Sequence, residues 1–404
     1  MNLGKLVRSA CATLAMLGGI ATAHADEPVE RGGNGSYHRA VCARAIAKAE
    51  ARCFAHVRTD AAGNELKGKP DAAAPNVVPS GFGANDLRSA YNVTSTGTSS
   101  TIIAIVDAYG YPNAEADLAK YRTQMGLPPC TAANGCFIKK DQRGGTAYPR
   151  YNSGWAQEQA LDLDMASAMC PGCKIMLVQA DSATYANLAA AVNTAGTLGA
   201  LVISNSYGGG ESGSTGYNAS YTKPGVAITA STGDSGFGAS FPATSPGVIA
   251  VGGTHLVSAA NARGWAETAW SSGGSGCSTT YAKPGYQNDP SCTKRMEADI
   301  AAVGDPATGV AVYGPSGRGS QSAWLVFGGT SVSAPLIGGI YGSLGVGAAN
   351  GASKIWAAGN SGGLGLNDVT AGSNGTCPVS YYCNARVGYD GPTGWGTPWG
   401  PTVF

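Results

Sequence analysis

The chain has 404 residues, of which 13% are charged and 43% apolar, with 61 glycines and a formal net charge of +1. Charges so few and so balanced exclude nucleic acid or an anionic membrane as an electrostatically held partner. The apolar and glycine content suits a tightly turned globular body with a large core, and no fixed-period repeat is present.

Residues 1–25 place Lys5 and Arg8 before an apolar run, ACATLAMLGGIATA, that ends in Ala23-His24-Ala25. A charged start, a short apolar stretch and a small-x-small ending make a secretory signal cut after Ala25. The run is too short and too glycine-broken to span a membrane. An exported protein, extracellular or periplasmic, is therefore expected. Cys11 leaves with the signal, and the other cysteines fall in close sequence pairs: Cys42/Cys53, Cys130/Cys136, Cys170/Cys173, Cys277/Cys292 and Cys377/Cys383. In an oxidising compartment these are expected as structural disulfides, although sequence alone does not prove their connectivity. Cys170-Pro-Gly-Cys173 flanks a turn and has no second pair at ligand spacing, so it reads as a clip rather than a redox or zinc site.

Residues 36–56 are alanine-rich with charges spaced along them, which predicts a short helix. The stretch 59–81, rich in Ala, Pro and Gly, has linker composition. Residues 26–80 are thus expected to be a short N-terminal prosegment and linker, tethered to a body at 81–404. In the body, TIIAIVDAY (101–109), KIMLVQA (174–180), ALVISNSYG (200–208), GVAITAS (225–231) and GVIAVGGT (247–254) read as apolar strands. Helices are expected over 155–169 and about 185–197, and the glycine-interrupted run 335–348 reads as a core helix. Apolar strands with helices between them predict an α/β fold with a central, mostly parallel sheet covered on both faces. Ligands bind such sheets beyond the carboxyl ends of the strands, which brings forward Asp107, Ser206, Asp234 and His255.

The stretch FGGTSVSAP, 327–335, makes Ser331 a candidate nucleophile opening a buried helix. A serine hydroxyl needs a base, usually histidine. His24 leaves with the signal, His38 and His56 lie in the N-terminal segment, and only His255 remains in the body. The 155–169 helix offers another base. Glu158 and Asp162 are four apart and share one face, among Ala160, Leu161, Met165, Ala166 and Ala168. Buried side by side, two carboxyl groups repel and lose solvation, so at least one pKa rises and can serve as a base in acid. Acids that simply face solvent are the plainer alternative, and Asp164, further round the helix, is the weaker candidate. Gly233-Asp234-Ser235-Gly236 has the form of a trypsin-like nucleophile motif but lacks the upstream histidine and aspartate of that class. Asp234, just past a buried strand, can instead donate a hydrogen bond to an oxyanion when protonated.

From about 81 to 404 the chain resembles the sedolisins, or serine-carboxyl peptidases, which have a subtilisin-like three-layer fold. The resemblance rests on Glu158-x-x-x-Asp162, SYG at 206–208, GDSG at 233–236, GGTSVSAP at 328–335 and DVTAGSNG…GYDGPTGWGTP from 368 to 398. It implies a Ser331-Glu158-Asp162 triad, with Asp234 and the Ser331 N–H at the oxyanion. Ser206, Tyr207 and Gly208 would pair with an extended polypeptide substrate. It further implies one structural calcium ion, held by the carboxylates of Asp368 and Asp390 and the carbonyls of Val369, Arg386 and Gly388. The chain departs from the family pattern at Asp107, where glutamate is usual, at Tyr207, where tryptophan is usual, and at Arg386, where glycine is usual. Its N-terminal segment is also far shorter than the family's folded propeptide. The implied function is a secreted endopeptidase, most active in acid, working through an acyl-enzyme as a monomer. A catalytically silent secreted binding protein on the same fold is the alternative. A carbohydrate hydrolase fits poorly, because two carboxyl groups side by side on one helix do not flank a sugar bond.

Overall fold

Alternate side chains of the strand Ile102–Ala108 enter two different cores: Ile103 and Ile105 join one, Ala104, Val106 and Ala108 the other. That period of two, with no polar face, is why the sheet is covered on both sides. The computed structural model describes Met1, residues 27–67 and residues 80–404, apart from 34, 46, 318 and 320. The expected signal sequence and most of the linker lie outside the described residues.

The central sheet runs in the order Trp265–Ala269, Ile249–Ser258, Ala227–Ser231, Val202–Asn205, Ile102–Ala108, Lys174–Ala180, Phe137–Asp141. All its neighbours are parallel except the first pair, and Ile300–Val303 adds a further parallel partner to Ile249–Ser258. The helices Ser153–Met169 and Thr330–Leu344 pack on one face and Tyr185–Thr197 on the other. This is the α/β architecture expected, and the expected strands and helices of the body are present. The apolar run at 335–348 belongs to a helix that begins earlier, at Thr330, and stops at Gly345, whose φ of 67° is left-handed. Among the described residues no helix is long and apolar enough to cross a membrane. Disulfides join Cys42–Cys53, Cys130–Cys136, Cys170–Cys173, Cys277–Cys292 and Cys377–Cys383.

The expected helix over 36–56 is overturned. That region instead contains the strands Tyr37–Ala40 and Arg52–Cys53, followed by His56–Thr59. Alanine's helix propensity is a weak preference, and sheet pairing outweighs it here. Tyr37–Ala40 pairs antiparallel with His56–Thr59, which pairs in turn with Ser322–Gly328 through Phe327↔Val57 and Gly328↔His56. Glu65 ties the segment down further, accepting from Arg39 at 2.9 Å, Gln157 Nε2 at 2.9 Å and the Gly317 N–H at 2.8 Å. Residues 27–67 therefore lie against the body rather than apart from it.

Candidate active site

The helix Ser153–Met169 starts where the Asn152 side chain accepts the Trp155 N–H at 3.1 Å, a local cap legible in the residues Asn-Ser-Gly-Trp. It is buried from Gly154 to Met169, because the sheet, the Thr330–Leu344 helix and the strand Val310–Pro315 surround it. Its acids do not face water, so the plainer alternative for Glu158 and Asp162 fails. Asp164 turns to the strand Val310–Pro315, where it accepts the Tyr313 N–H at 3.0 Å.

Glu158 and Asp162 come close to Asp107, the last residue but one of the strand Ile102–Ala108, and all three are fully buried. Burial pushes the Glu158 carboxyl well above its ordinary range, and the neighbouring Asp162 adds to the rise. Hydrogen bonds from Ser331 and the Ala55 N–H oppose it. Burial likewise raises Asp162, helped by Asp107, and raises Asp107, helped by Glu158. Three acids this close cannot all ionise, so protons are shared among them at neutral pH. Tyr207 takes no part in hydrogen bonding to the acids. Its hydroxyl donates to Asn205 Oδ1 at 2.7 Å and meets the Tyr221 hydroxyl at 3.2 Å.

Ser331 sits in the first turn of the Thr330–Leu344 helix, after Gly329, whose φ of 104° suits glycine. The Ser331 hydroxyl donates to the Ser206 carbonyl at 3.2 Å and lies near enough to Glu158 to lower the pKa of that carboxyl, so rotation of the O–H can turn it towards the acid. Pro335, inside the helix, lacks the N–H that would bond the Ser331 carbonyl four residues back. That carbonyl accepts instead from Ser206 Oγ at 3.4 Å. Thr330 holds Asp234 through one oxygen: its N–H and its hydroxyl both donate to Asp234 Oδ1 at 2.8 Å. The other oxygen, Oδ2, is left for a neighbour. Burial lifts the Asp234 pKa to about 7, against the Thr330 hydrogen bonds, so the group carries a proton in acid. His255, by contrast, pairs with Asp305 at 2.8 Å. Ser235 of the GDSG stretch is exposed.

Residues 53–56 were not legible as site residues. Cys53 pairs with Tyr207 in an antiparallel strand contact, Phe54 N–H donates to Ser331 Oγ at 3.1 Å, and Ala55 N–H donates to Glu158 Oε2 at 2.8 Å. His56 Nε2 lies 3.4 Å from Asp234 Oδ2, and its Nδ1 meets His38 Nδ1 at 3.0 Å. The one local signal was the closely spaced pair Cys42/Cys53, which stiffens the chain just before Phe54.

The C-terminal loop brings Asp368 and Asp390 close enough for the charge of one to raise the pKa of the other. Burial is the larger cause and lifts Asp390 to about 7. Asp390 accepts the Arg386 N–H at 2.9 Å and Asp368 accepts the Gly388 N–H at 2.8 Å, so the loop folds around the two carboxyl groups. Two neighbouring carboxylates, Asp390 buried and in no ion pair among the described residues, with backbone carbonyls on the same loop, are a donor set that fits a hard cation such as calcium.

The profile of the subtilase family matches residues 144–345. The chain is 30% identical over 308 residues to kumamolisin of Bacillus sp. (strain MN-32), covering 67% of this chain and 53% of that protein. It is 32% identical over 177 residues to sedolisin of Pseudomonas sp. (strain 101), covering 40% of this chain and 29% of that one. The chain thus spans about half the length of kumamolisin, and less of that sedolisin. The structure of Pseudomonas sedolisin complexed with two molecules of pseudo-iodotyrostatin superposes with a TM-score of 0.67 at 24% identity, over 79% of this chain and 95% of that one, and so shares the fold. A glutamate and an aspartate one turn apart beside a buried serine, on a subtilisin-like sheet, agree with these likenesses, and the chain belongs to the subtilase family in its sedolisin branch.

Proposed function

We propose that this chain is a secreted serine-carboxyl endopeptidase that hydrolyses polypeptides through an acyl-enzyme and works best in acid. Ser331 Oγ attacks the peptide carbonyl while Glu158 takes its proton; Asp162 shares a proton with Glu158, and Asp107 extends the cluster. Asp234, protonated on Oδ2, donates to the developing oxyanion together with the Ser331 N–H. The observation that carries this reading is the buried Glu158 carboxyl close enough to Ser331 for the hydroxyl to lower its pKa, while His56 Nδ1 meets His38 and His255 pairs with Asp305. The strand Tyr207–Gly208 supports the binding of an extended peptide, since it already pairs with one. Asp368 and Asp390, with the carbonyls of Val369, Arg386 and Gly388, would hold a calcium ion that would supply charge neutralisation and stiffness to this loop. One copy of the chain carries every group named, in keeping with a monomer.

Casein hydrolysis measured from about pH 3 to about pH 8 tests the assignment. Ser331→Ala and Glu158→Gln are each expected to lower kcat by about 10³-fold or more. Full activity in both variants would end the assignment.

A further inference from the structure

Three side chains of the N-terminal segment converge on one face of its sheet. Glu30 and His38 are direct antiparallel partners, and His38 stands opposite Arg58, next but one to His56 on the same strand. Residues opposite each other across strands, or two apart along one, share a face, so the register itself gathers Glu30, His38 and His56. A ligand atom from each lies within 4.8 Å of those of the other two. The two histidines face each other through their Nδ1 atoms at 3.0 Å, with the rings inclined at 67°. Both rings are buried, Trp270 closes the site edge to face beside His56, and Glu30 stands at the more open rim.

We propose that Glu30, His38 and His56 form a zinc site that stiffens the N-terminal segment on the catalytic body. Two imidazole nitrogens and a carboxylate, with the fourth position left to water, are a donor set that zinc accepts. At a tetrahedral zinc ion two ligating nitrogens stand about 3.3 Å apart, so the rings need only part slightly to admit it. Imidazole nitrogen also separates this site from the C-terminal loop, whose oxygens suit calcium. The acids around the pair are Glu30, Asp305 and Asp234, against Arg52 and Arg58, so charge does not bar a dication.

The other side of the His56 ring gives the site its bearing on the body. Zinc on Nδ1 leaves the His56 ring proton on Nε2, which faces Asp234 Oδ2 at 3.4 Å. Neither atom has a hydrogen-bond partner among the described residues, and a carboxylate behind a ligating histidine fixes its tautomer and orientation. His56 also pairs with Gly328, on the strand that leads to Ser331. The three ligands come from three adjoining strands of a sheet whose next member, Ser322–Gly328, belongs to the body. A cation that binds only the gathered residues favours the assembled sheet, and opening the segment has to break its ligation as well as the strand pairing.

Full-length Ser331→Ala protein, freed of metal by a chelator selective for zinc over calcium, is titrated with zinc chloride at about pH 7.5. One zinc ion per chain is expected to bind, with a Kd of about 1 µM or tighter. Glu30→Gln at the rim and His38→Ala in the interior are each expected to weaken binding at least about tenfold, and Asp368→Ala to leave it unchanged. With zinc bound, hydrogen exchange at Tyr37–Ala40 and His56–Thr59 is expected to slow at least about tenfold, a change absent from Glu30→Gln. Weaker binding by the parent, or binding unchanged in Glu30→Gln, would overturn the site even where His38→Ala does not fold. Binding lost in Asp368→Ala alone would place zinc at the C-terminal loop and overturn it too. Zinc bound with no slower exchange would overturn its hold on the segment. None of these readings uses peptidase activity, so they and the function proposed above stand or fall separately.

Discussion

Asp107 shows how far one side chain departs from ordinary acid behaviour. Neither of its carboxyl oxygens meets a protein donor among the described residues, and Glu158 and Asp162 are its charged neighbours. An acid whose folded pKa is raised contributes stability that is fully present below the ordinary carboxylate range and lost as pH rises through the folded value. On the proposed mechanism the same proton keeps the cluster competent, so activity is expected to fall as pH climbs past it. Asp107→Asn removes one negative neighbour and is expected to move the alkaline limb of the kcat/KM profile to lower pH, by about one unit. An unmoved limb would take Asp107 out of the network. The aspartate's position was legible from its place near a strand end, but its burial was not, because periodicity does not say what covers the end of a strand.

Elements behave differently according to what surrounds them. The Ser153–Met169 helix carries polar residues on several faces, yet all beyond Ser153 are buried, including Gln157, Gln159 and Asp164. Its helical period was readable, and the walls that enclose it were not. The Thr330–Leu344 helix was recognisable from Gly-Gly-Thr-Ser, although Pro335 masked its first turn and displaced the expected start. In the C-terminal loop, the charge of Asp368 raises the pKa of Asp390. A bound cation relieves that repulsion, so calcium at a hundredfold excess over its Kd is expected to stabilise the fold by about 3 kcal/mol. Calorimetry with calcium and with chelator measures this, and Asp368→Ala is expected to abolish the difference. An equal difference in the variant would move the cation elsewhere.

Across the whole molecule, the N-terminal segment and the catalytic body respond to acid in opposite directions. His38 and His56 stand on either side of Phe54–Ala55 with their Nδ1 atoms 3.0 Å apart. Burial lowers both pKa values; His38 and Arg52 lower His56 further, while Arg58 lowers His38 and Asp305 opposes that. Asp234 and Glu30 are the other charged groups at the pair. A base with a depressed folded pKa holds its full contribution above the ordinary histidine range and loses it as pH falls below that range. Acid therefore loosens the segment while the buried carboxyl cluster keeps the body stable. In Ser331→Ala, hydrogen exchange at Arg52–Thr59, corrected for intrinsic rate, is expected to rise at least about tenfold from pH 7 to pH 4. His38→Phe is expected to flatten that rise. A rise unchanged in His38→Phe would assign the loosening to other groups.

Reading residues in order was enough for the alternating apolar strands, the one-turn spacing of Glu158 and Asp162, the serine after Gly-Gly-Thr and the close cysteine pairs. Each depends on neighbours within a few positions, where backbone geometry and side-chain direction are set locally. The segment across the cleft could not be read this way. Phe54 and Ser331 are 277 positions apart, and the alanines around 36–56 favour a helix until a distant strand edge offers their backbone better partners. Which buried groups share protons was equally hidden, because solvation and charge depend on everything packed around a group, and that packing exists only once the chain has closed on itself.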